Sequence, residues 1–205
     1  DGLPFYIAEA RRIGIAVDPP DVNRSDIIFD VVDGRIVFGL KGIKGMGDGA
    51  SAAIVAEREE NGPYKSFIDF IERVGIKVVD GKRAVNNKAI EVLIKTGGFD
   101  HVGEAEGKVY NRPTLLQNME RAVDYAEAKH HGSENGQVSL FEESGEKEFV
   151  DFEFEEVEDL PTMEKLNMEK ECIGIYISGH PLDDYRKAIE QSATITSKTW
   201  EREAK

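Results

Sequence analysis

Apolar residues recur at helical spacing over most of this chain. Ser66 followed by Asp69 forms a capping box, and Pro113 falls in the first turn of the helix that begins at Asn111. The pattern predicts helices over 5–13, 48–60, 86–95, 111–129, 161–172 and 182–191, with one more beginning after Ser66.

Two β-branched runs near the start of the chain predict a small β-hairpin. Ile27–Val32 and Arg35–Leu40 are separated by Asp33-Gly34, a dipeptide that favours tight hairpin turns. Before these runs, Gly14 and Pro19-Pro20 favour an extended connection. We therefore expect a mainly α fold with one small N-terminal β-hairpin.

The composition excludes several classes of protein. The 205 residues include no apolar run long enough to span a membrane, and the single Cys172 excludes a disulfide framework and a cysteine-based zinc site. One cysteine fits a reducing cytoplasm. The chain begins with Asp-Gly-Leu-Pro and has no initiator Met, so we expect it to be a piece of a longer protein.

The formal net charge of −14 is unevenly distributed. Residues 1–130 carry 18 basic and 21 acidic side chains, whereas residues 131–205 carry 8 and 19. Residues 41–95 are slightly basic, and 142–159 hold ten carboxylates against one lysine. Residues 130–160 are rich in Gly, Ser and Glu, a composition that predicts a disordered acidic linker. The global charge therefore does not exclude a nucleic-acid partner for the basic block.

The glycine-rich segment before the helix at 48–60 has the form of a helix-hairpin-helix turn. Glycines allow a tight turn, Met46 can fill the crevice between two helices, and the amides that begin the next helix can hold a phosphate. The predicted phosphate-binding residues are Lys41, Lys44, Gly45, Met46, Gly47, Asp48 and Gly49. A purely structural turn between a strand and a helix is the alternative.

A degenerate second copy occurs between the helices at 86–95 and 111–129. Thr96, Gly97 and Gly98 are predicted to contact phosphate there, although Gly97-Gly98-Phe99 departs from the Gly-apolar-Gly order of the first turn. A turn that only braces the first hairpin is an equal alternative. The fold class expected is a tandem helix-hairpin-helix, with C-terminal helices after the acidic linker.

An isolated apolar pair lies inside the predicted linker. Gln137, Val138, Ser139, Leu140 and Phe141 follow the pattern of peptides that bind the bacterial sliding clamp. An exposed apolar pair in a flexible segment favours docking on a partner. Folding of this pair back onto the chain is the alternative.

No catalytic or metal site is predicted. His130 and His131 are adjacent and lack a third ligand nearby, and Asp183-Asp184 suits the first turn of a helix better than a two-metal site. His180 precedes Pro181 at a helix start and fits a structural role, and Cys172 is expected to be buried and inert.

Taken together, the residues resemble the alpha (polymerase) subunits of bacterial DNA polymerase III. The matching stretches are Ala16–Asn23, Val37–Leu40, Ile43–Gly47, Leu93–Asp100, Gln137–Phe141 and Gly174–Leu182, in the order of that family. The resemblance implies the end of the fingers with a small β-hairpin at 1–36, a tandem helix-hairpin-helix domain at 37–129, a flexible linker with a clamp-binding peptide at 130–160, and C-terminal helices at 161–205.

The resemblance also implies the partners and the chemistry. Duplex DNA bound without sequence preference, the sliding clamp through Gln137–Phe141, and other replicase subunits are the expected partners, with no membrane contact. The parent protein would be a DNA-directed DNA polymerase that uses Mg in a palm domain outside this chain, so no cofactor and no catalysis are expected here. A protein-interaction scaffold and the DNA-binding domain of a repair enzyme are the alternatives.

Overall fold

The computed structural model describes residues 3–135 and 151–181. The mainly α prediction is confirmed: the helices are α1 (Leu3–Arg12), α2 (Asp48–Asn61), α3 (Phe67–Phe70), α4 (Asn87–Lys95), α5 (Arg112–Asn135) and α6 (Thr162–Ile173). The strands are β1 (Val17–Asp18), β2 (Asp30–Val32), β3 (Arg35–Val37), β4 (Val78–Val79) and β5 (Lys82–Arg83). The helix predicted over 182–191 lies outside the described residues. Within the described ranges, no helix is both long and apolar enough to span a bilayer.

The predicted N-terminal β-hairpin is present, and its strands are shorter than expected. Strands β2 and β3 pair antiparallel, and Asp33 and Gly34 turn the chain with φ values of 52° and 74°. Strand β1 pairs parallel with β3 and completes a three-stranded sheet, which the sequence pattern did not predict.

A second β-hairpin was missed by the sequence analysis. Strands β4 and β5 pair antiparallel around Asp80 and Gly81, whose φ values are 51° and 75°. The same Asp-Gly dipeptide that marks the first hairpin marks this one, so the signal was present in the sequence.

The capping prediction at Ser66 is confirmed, with one difference. The Ser66 hydroxyl accepts a hydrogen bond from the Asp69 amide at 3.0 Å, but the Asp69 carboxylate accepts from the Lys65 amide, at 2.9 Å, instead of from the amide of Ser66 itself. Helix α3 continues directly into a π-helical turn at Ile71–Gly75.

The hydrophobic core lies between the helices that surround the two glycine turns. Phe99, from the second turn, packs edge-on against Phe67 and Phe70 of α3, with ring centroids 5.0 and 4.9 Å apart. Met46, from the first turn, is also part of the buried cluster, as predicted. Both turns are therefore anchored to one core by an apolar side chain.

The predicted flexible linker needs correction at both ends. Helix α5 extends to Asn135, and residues 151–160, although acidic, pack along α5. The Asn118 side chain bonds both backbone groups of Glu155, at 2.9 and 3.0 Å, and Phe154 stacks on Tyr110 with a centroid distance of 4.0 Å. The alternation of Phe152 and Phe154 with acidic residues is a period-two pattern that places apolar groups inward and carboxylates outward.

Candidate nucleic-acid interface

The first glycine turn lies on the surface, with one side chain inserted into the core. Gly45 and Gly47 are exposed, whereas Met46 between them is only 7% exposed. Strand β3 and a single 3-10 turn at Leu40–Gly42 precede this hairpin. The turn leads directly into α2, for which Gly47 is the N-cap.

The backbone amides of this hairpin fall into two groups. The Lys44 amide donates to the Cys172 carbonyl at 2.8 Å, and the Met46 amide donates to the Ile43 carbonyl at 3.1 Å. The Gly45 amide donates to no acceptor among the described residues, and neither do the amides of Gly47, Asp48 and Gly49, since the first intrahelical bond of α2 comes from Ser51.

This division refines the predicted phosphate site. The Met46 amide is already occupied, so Met46 can contribute by packing and not by a hydrogen bond to an anion. The donors left for a ligand are the amides of four exposed residues, Gly45, Gly47, Asp48 and Gly49, and the partial positive charge of the α2 dipole is concentrated at the last three.

The two glycines of the first turn serve different physical purposes. Gly45 has φ of +93°, a conformation that L side chains rarely adopt. Gly47 has φ of −82° and ψ of 157°, which any residue can adopt, and a Cβ atom there would meet nothing within 4 Å. Gly47 is therefore not required by the turn, and the absence of its side chain leaves the adjacent amides open to a ligand.

Three exposed lysines lie in or beside this hairpin, and one of them, Lys88, is paired with Glu91 at 3.0 Å. The Lys41 ammonium lies 3.0 Å from the Asp48 carboxylate, and both side chains are more than half exposed, so this pair offsets the acid that begins α2. The Lys44 side chain is exposed, with its ammonium 3.4 Å from the Glu171 carbonyl. Lys88 of α4 lies beside Gly45.

The second glycine turn has the opposite environment, and its predicted phosphate contacts need correction. Thr96, Gly97 and Gly98 are buried, and their amides donate to the carbonyls of Val92, Ile94 and Leu93 at 3.1, 3.1 and 2.8 Å. No donor of these three residues points to solvent. The geometry favours the alternative of a bracing turn.

The guanidinium of Arg112 covers the second turn. Arg112, the first residue of α5, contacts the Asp100 carboxylate at 2.7 Å and the Glu169 carboxylate of α6 at 3.1 Å. A Cβ atom on Gly97 would lie 2.5 Å from the Arg112 Nη2 atom. Burial lowers the pKa of Arg112, but its hydrogen bond to Asp100 and the neighbouring carboxylates raise it above the ordinary arginine value, so the group stays charged.

Glu169 connects this closed turn to α6. Its carboxylate is fully buried and accepts bonds from the amides of Ile177 and Ser178 at 3.2 and 3.0 Å, as well as from Arg112. One helical turn later, the Cys172 carbonyl accepts the Lys44 amide of the first hairpin. No local sequence pattern predicts this network, because Arg112 and Glu169 are 57 positions apart.

The remaining residues considered in the sequence analysis lie outside the two glycine turns. Gln137, Val138, Ser139, Leu140 and Phe141 lie outside the described residues, as do Asp183 and Asp184. Cys172 is buried, as predicted, and burial raises the pKa of its thiol, which disfavours the reactive thiolate. His130, His131 and His180 are exposed.

Comparison with known proteins assigns the family. A helix-hairpin-helix motif model matches residues 14–109. The DNA polymerase III subunit alpha of Treponema pallidum is 39% identical over 193 residues, which cover 94% of this chain and 16% of that protein. The subunits alpha of Borreliella burgdorferi and Thermus aquaticus are each 40% identical, over 95% and 90% of this chain and 16% and 14% of their own lengths.

These matches cover nearly all of this chain and about a sixth of the length of each relative. They include both glycine turns and the residues between them. The chain belongs to the DNA polymerase III subunit alpha family, as a segment that contains the helix-hairpin-helix motif.

Proposed function

We propose that this chain is a non-catalytic segment of a replicative DNA polymerase that holds the backbone of duplex DNA. The observation that carries the proposal is the set of exposed amides at Gly47, Asp48 and Gly49, which begin α2 beside Lys41 and Lys44. Amides at a helix start suit a phosphate oxygen, and they read no base sequence. The buried second turn supports the fold and does not contact DNA.

Synthesis itself would take place outside this chain. We infer that the parent protein is a DNA-directed DNA polymerase acting in the cytoplasm with other replicase subunits, and that its Mg-binding carboxylates lie in another domain. On this proposal, the segment holds the duplex product, and the remainder of the protein carries out nucleotide transfer.

Titration of a labelled duplex at several salt concentrations tests the DNA contact. We expect Kd on the order of 10⁻⁴–10⁻⁶ M, and a log–log salt slope of about −0.9 for each phosphate contacted. Duplexes of unrelated sequence should bind equally. Absence of binding even at low salt would favour the interaction scaffold instead.

We further propose that Gln137–Phe141 binds the sliding clamp. The Gln137 amide can both donate and accept hydrogen bonds, and Leu140 and Phe141 can fill an apolar pocket. Calorimetry with purified clamp should show binding that is abolished by Leu140→Ala with Phe141→Ala. Ser144→Ala with Gly145→Ala, a double substitution outside the pattern, is the matched control and should bind as the wild type. Equal affinity of all three proteins would reject the assignment.

A further inference from the structure

The residue that begins α2 carries a negative charge at the place assigned to a phosphate. The Asp48 amide is one of the open donors, and the carboxyl carbon of the same residue is three bonds away from that nitrogen, so the two atoms lie within about 4.5 Å of each other. In a helix each Cα–Cβ bond is tilted toward the amino terminus, which is the end where an anion would bind. A phosphate held by these amides would therefore lie beside the Asp48 carboxylate.

This carboxylate has opposite effects on the helix and on the ligand. An acid in the first turn stabilises α2, because it faces the partial positive charge of the helix dipole. The same charge repels a phosphate, and two unit charges about 7 Å apart at a protein surface change an equilibrium by about three-fold or more. The Asp48 side chain is 75% exposed, so its charge is presented on the surface that the ligand would approach.

Asp48 also pairs with a lysine that a phosphate would use. The Lys41 ammonium lies 3.0 Å from the Asp48 carboxylate, and the Lys41 side chain is itself 54% exposed. A phosphate bound at the neighbouring amides would have to share this ammonium with the carboxylate or take it over. Neutralisation of Asp48 would therefore remove a repulsion and free a cation at the same place.

We propose that Asp48 weakens the hold of this segment on duplex DNA, because its carboxylate repels the bound phosphate and retains Lys41. The inference rests on the proposed function, since it concerns the same amides. A segment that holds the duplex product of a polymerase has to let that duplex move past as synthesis proceeds, and a weak contact without sequence preference allows this movement. A role of Asp48 in helix stability alone predicts no such effect on DNA.

Neutral substitutions at Asp48 test this inference. Asp48→Ala and Asp48→Asn should each raise duplex affinity about three- to ten-fold at about 0.1 M salt, whereas Asp48→Glu, which keeps the charge, should bind within about two-fold of the wild type. The matched control is Glu60→Gln, which makes the same change in net charge near the other end of α2. Glu60 lies about 18 Å from Asp48 along the helix axis, beyond the Debye length of about 10 Å, so this control should bind as the wild type.

Thermal unfolding measured in parallel separates an effect on binding from an effect on the helix. The midpoint of Asp48→Ala should fall slightly, because the helix dipole loses a favourable charge, while its duplex affinity rises. Affinity that is unchanged or lower in Asp48→Ala, or raised equally by Glu60→Gln, would overturn the inference while the site at the α2 amides stands. A rise in Asp48→Asn alone would also overturn it, because an asparagine amide can donate to a phosphate. If the wild-type chain binds no duplex, the proposed function is overturned as well.

Discussion

In the turn before α2, Gly45 and Gly47 are exposed, whereas in the turn after α4, Gly97 and Gly98 are buried and hydrogen-bonded. The two sequences are similar, and what surrounds them differs. Arg112 covers the second turn with a guanidinium that Glu169 of α6 contacts, while the lysines beside the first turn are exposed. In this chain, the second turn is closed because its amides donate to backbone carbonyls and Arg112 covers it, and at Gly45 and Gly47 of the first turn neither is found among the described residues.

Removal of the Arg112 guanidinium should change the free energy of unfolding more than any other substitution considered. Arg112→Ala leaves the buried Glu169 carboxylate without its cationic partner, so we expect a loss of about 3–5 kcal/mol in the free energy of unfolding. Lys41→Ala, which breaks the exposed pair with Asp48, should change it by about 1 kcal/mol or less. Urea unfolding of both variants measures the difference. Similar losses in the two variants would contradict the claim that the Arg112 guanidinium stabilises the second turn.

Alanine substitution at Gly45 and at Gly97 distinguishes the cost of backbone strain from the cost of a steric clash. Gly45 and Gly97 both have positive φ, at 93° and 86°, so either substitution strains the backbone. Only at Gly97 would the new Cβ atom clash, 2.5 Å from Arg112 Nη2 and 2.8 Å from the Asp100 carboxylate. Gly97→Ala should therefore destabilise the protein by about 1–3 kcal/mol more than Gly45→Ala, measured by thermal unfolding. The reverse order would contradict the packing described at Gly97.

A small pH dependence of stability near neutral pH should arise at His101, beside the second turn. The hydrogen bond to Glu104 raises the pKa of His101 above its ordinary value, against the opposing effect of burial. A raised pKa in the folded state means that the stabilisation is full below about pH 6.5, the unfolded value, and is lost as pH rises through the folded pKa. Both side chains are about 60% exposed, so the change should stay below about 0.5 kcal/mol.

His101→Gln tests this assignment. The variant should remove the decrease in stability between about pH 6 and 8, and duplex binding should keep the same pH profile in both proteins. A pH profile of stability that is unchanged by the substitution would exclude His101 as its source.

Local patterns predicted the elements well and the surroundings of the turns poorly. The Ser66 cap, the Asp33-Gly34 hairpin and the burial of Met46 follow from neighbouring residues, and each is confirmed. The Asp80-Gly81 hairpin carried the same local signal and was overlooked. The environment of Gly97 depends on Arg112 and Glu169, which are distant in sequence, so no local pattern distinguishes the closed turn from the open one.

The composition of residues 151–160 gave a wrong prediction of disorder. Residues 151–160 are acidic enough to be assigned to a disordered linker, yet Phe152 packs against Tyr125 of α5 and Phe154 against Tyr110. Asn118 and Thr114 then bond the backbone of the extended segment, at Glu155 and Val157. Two well-placed aromatic residues and polar partners on a helix outweigh an average composition, because packing is decided residue by residue.

The most direct test places a carboxylate at the N-cap of α2. Gly47→Asp fits the extended backbone there, and its side chain can bond the open amides that we assign to phosphate. We expect the free energy of unfolding to stay equal or rise by a few tenths of a kcal/mol. Duplex affinity, measured by titration at low salt, should fall about ten-fold or more, because charge-assisted hydrogen bonds are lost and a like charge is added. Unchanged affinity in an equally stable variant would contradict the account.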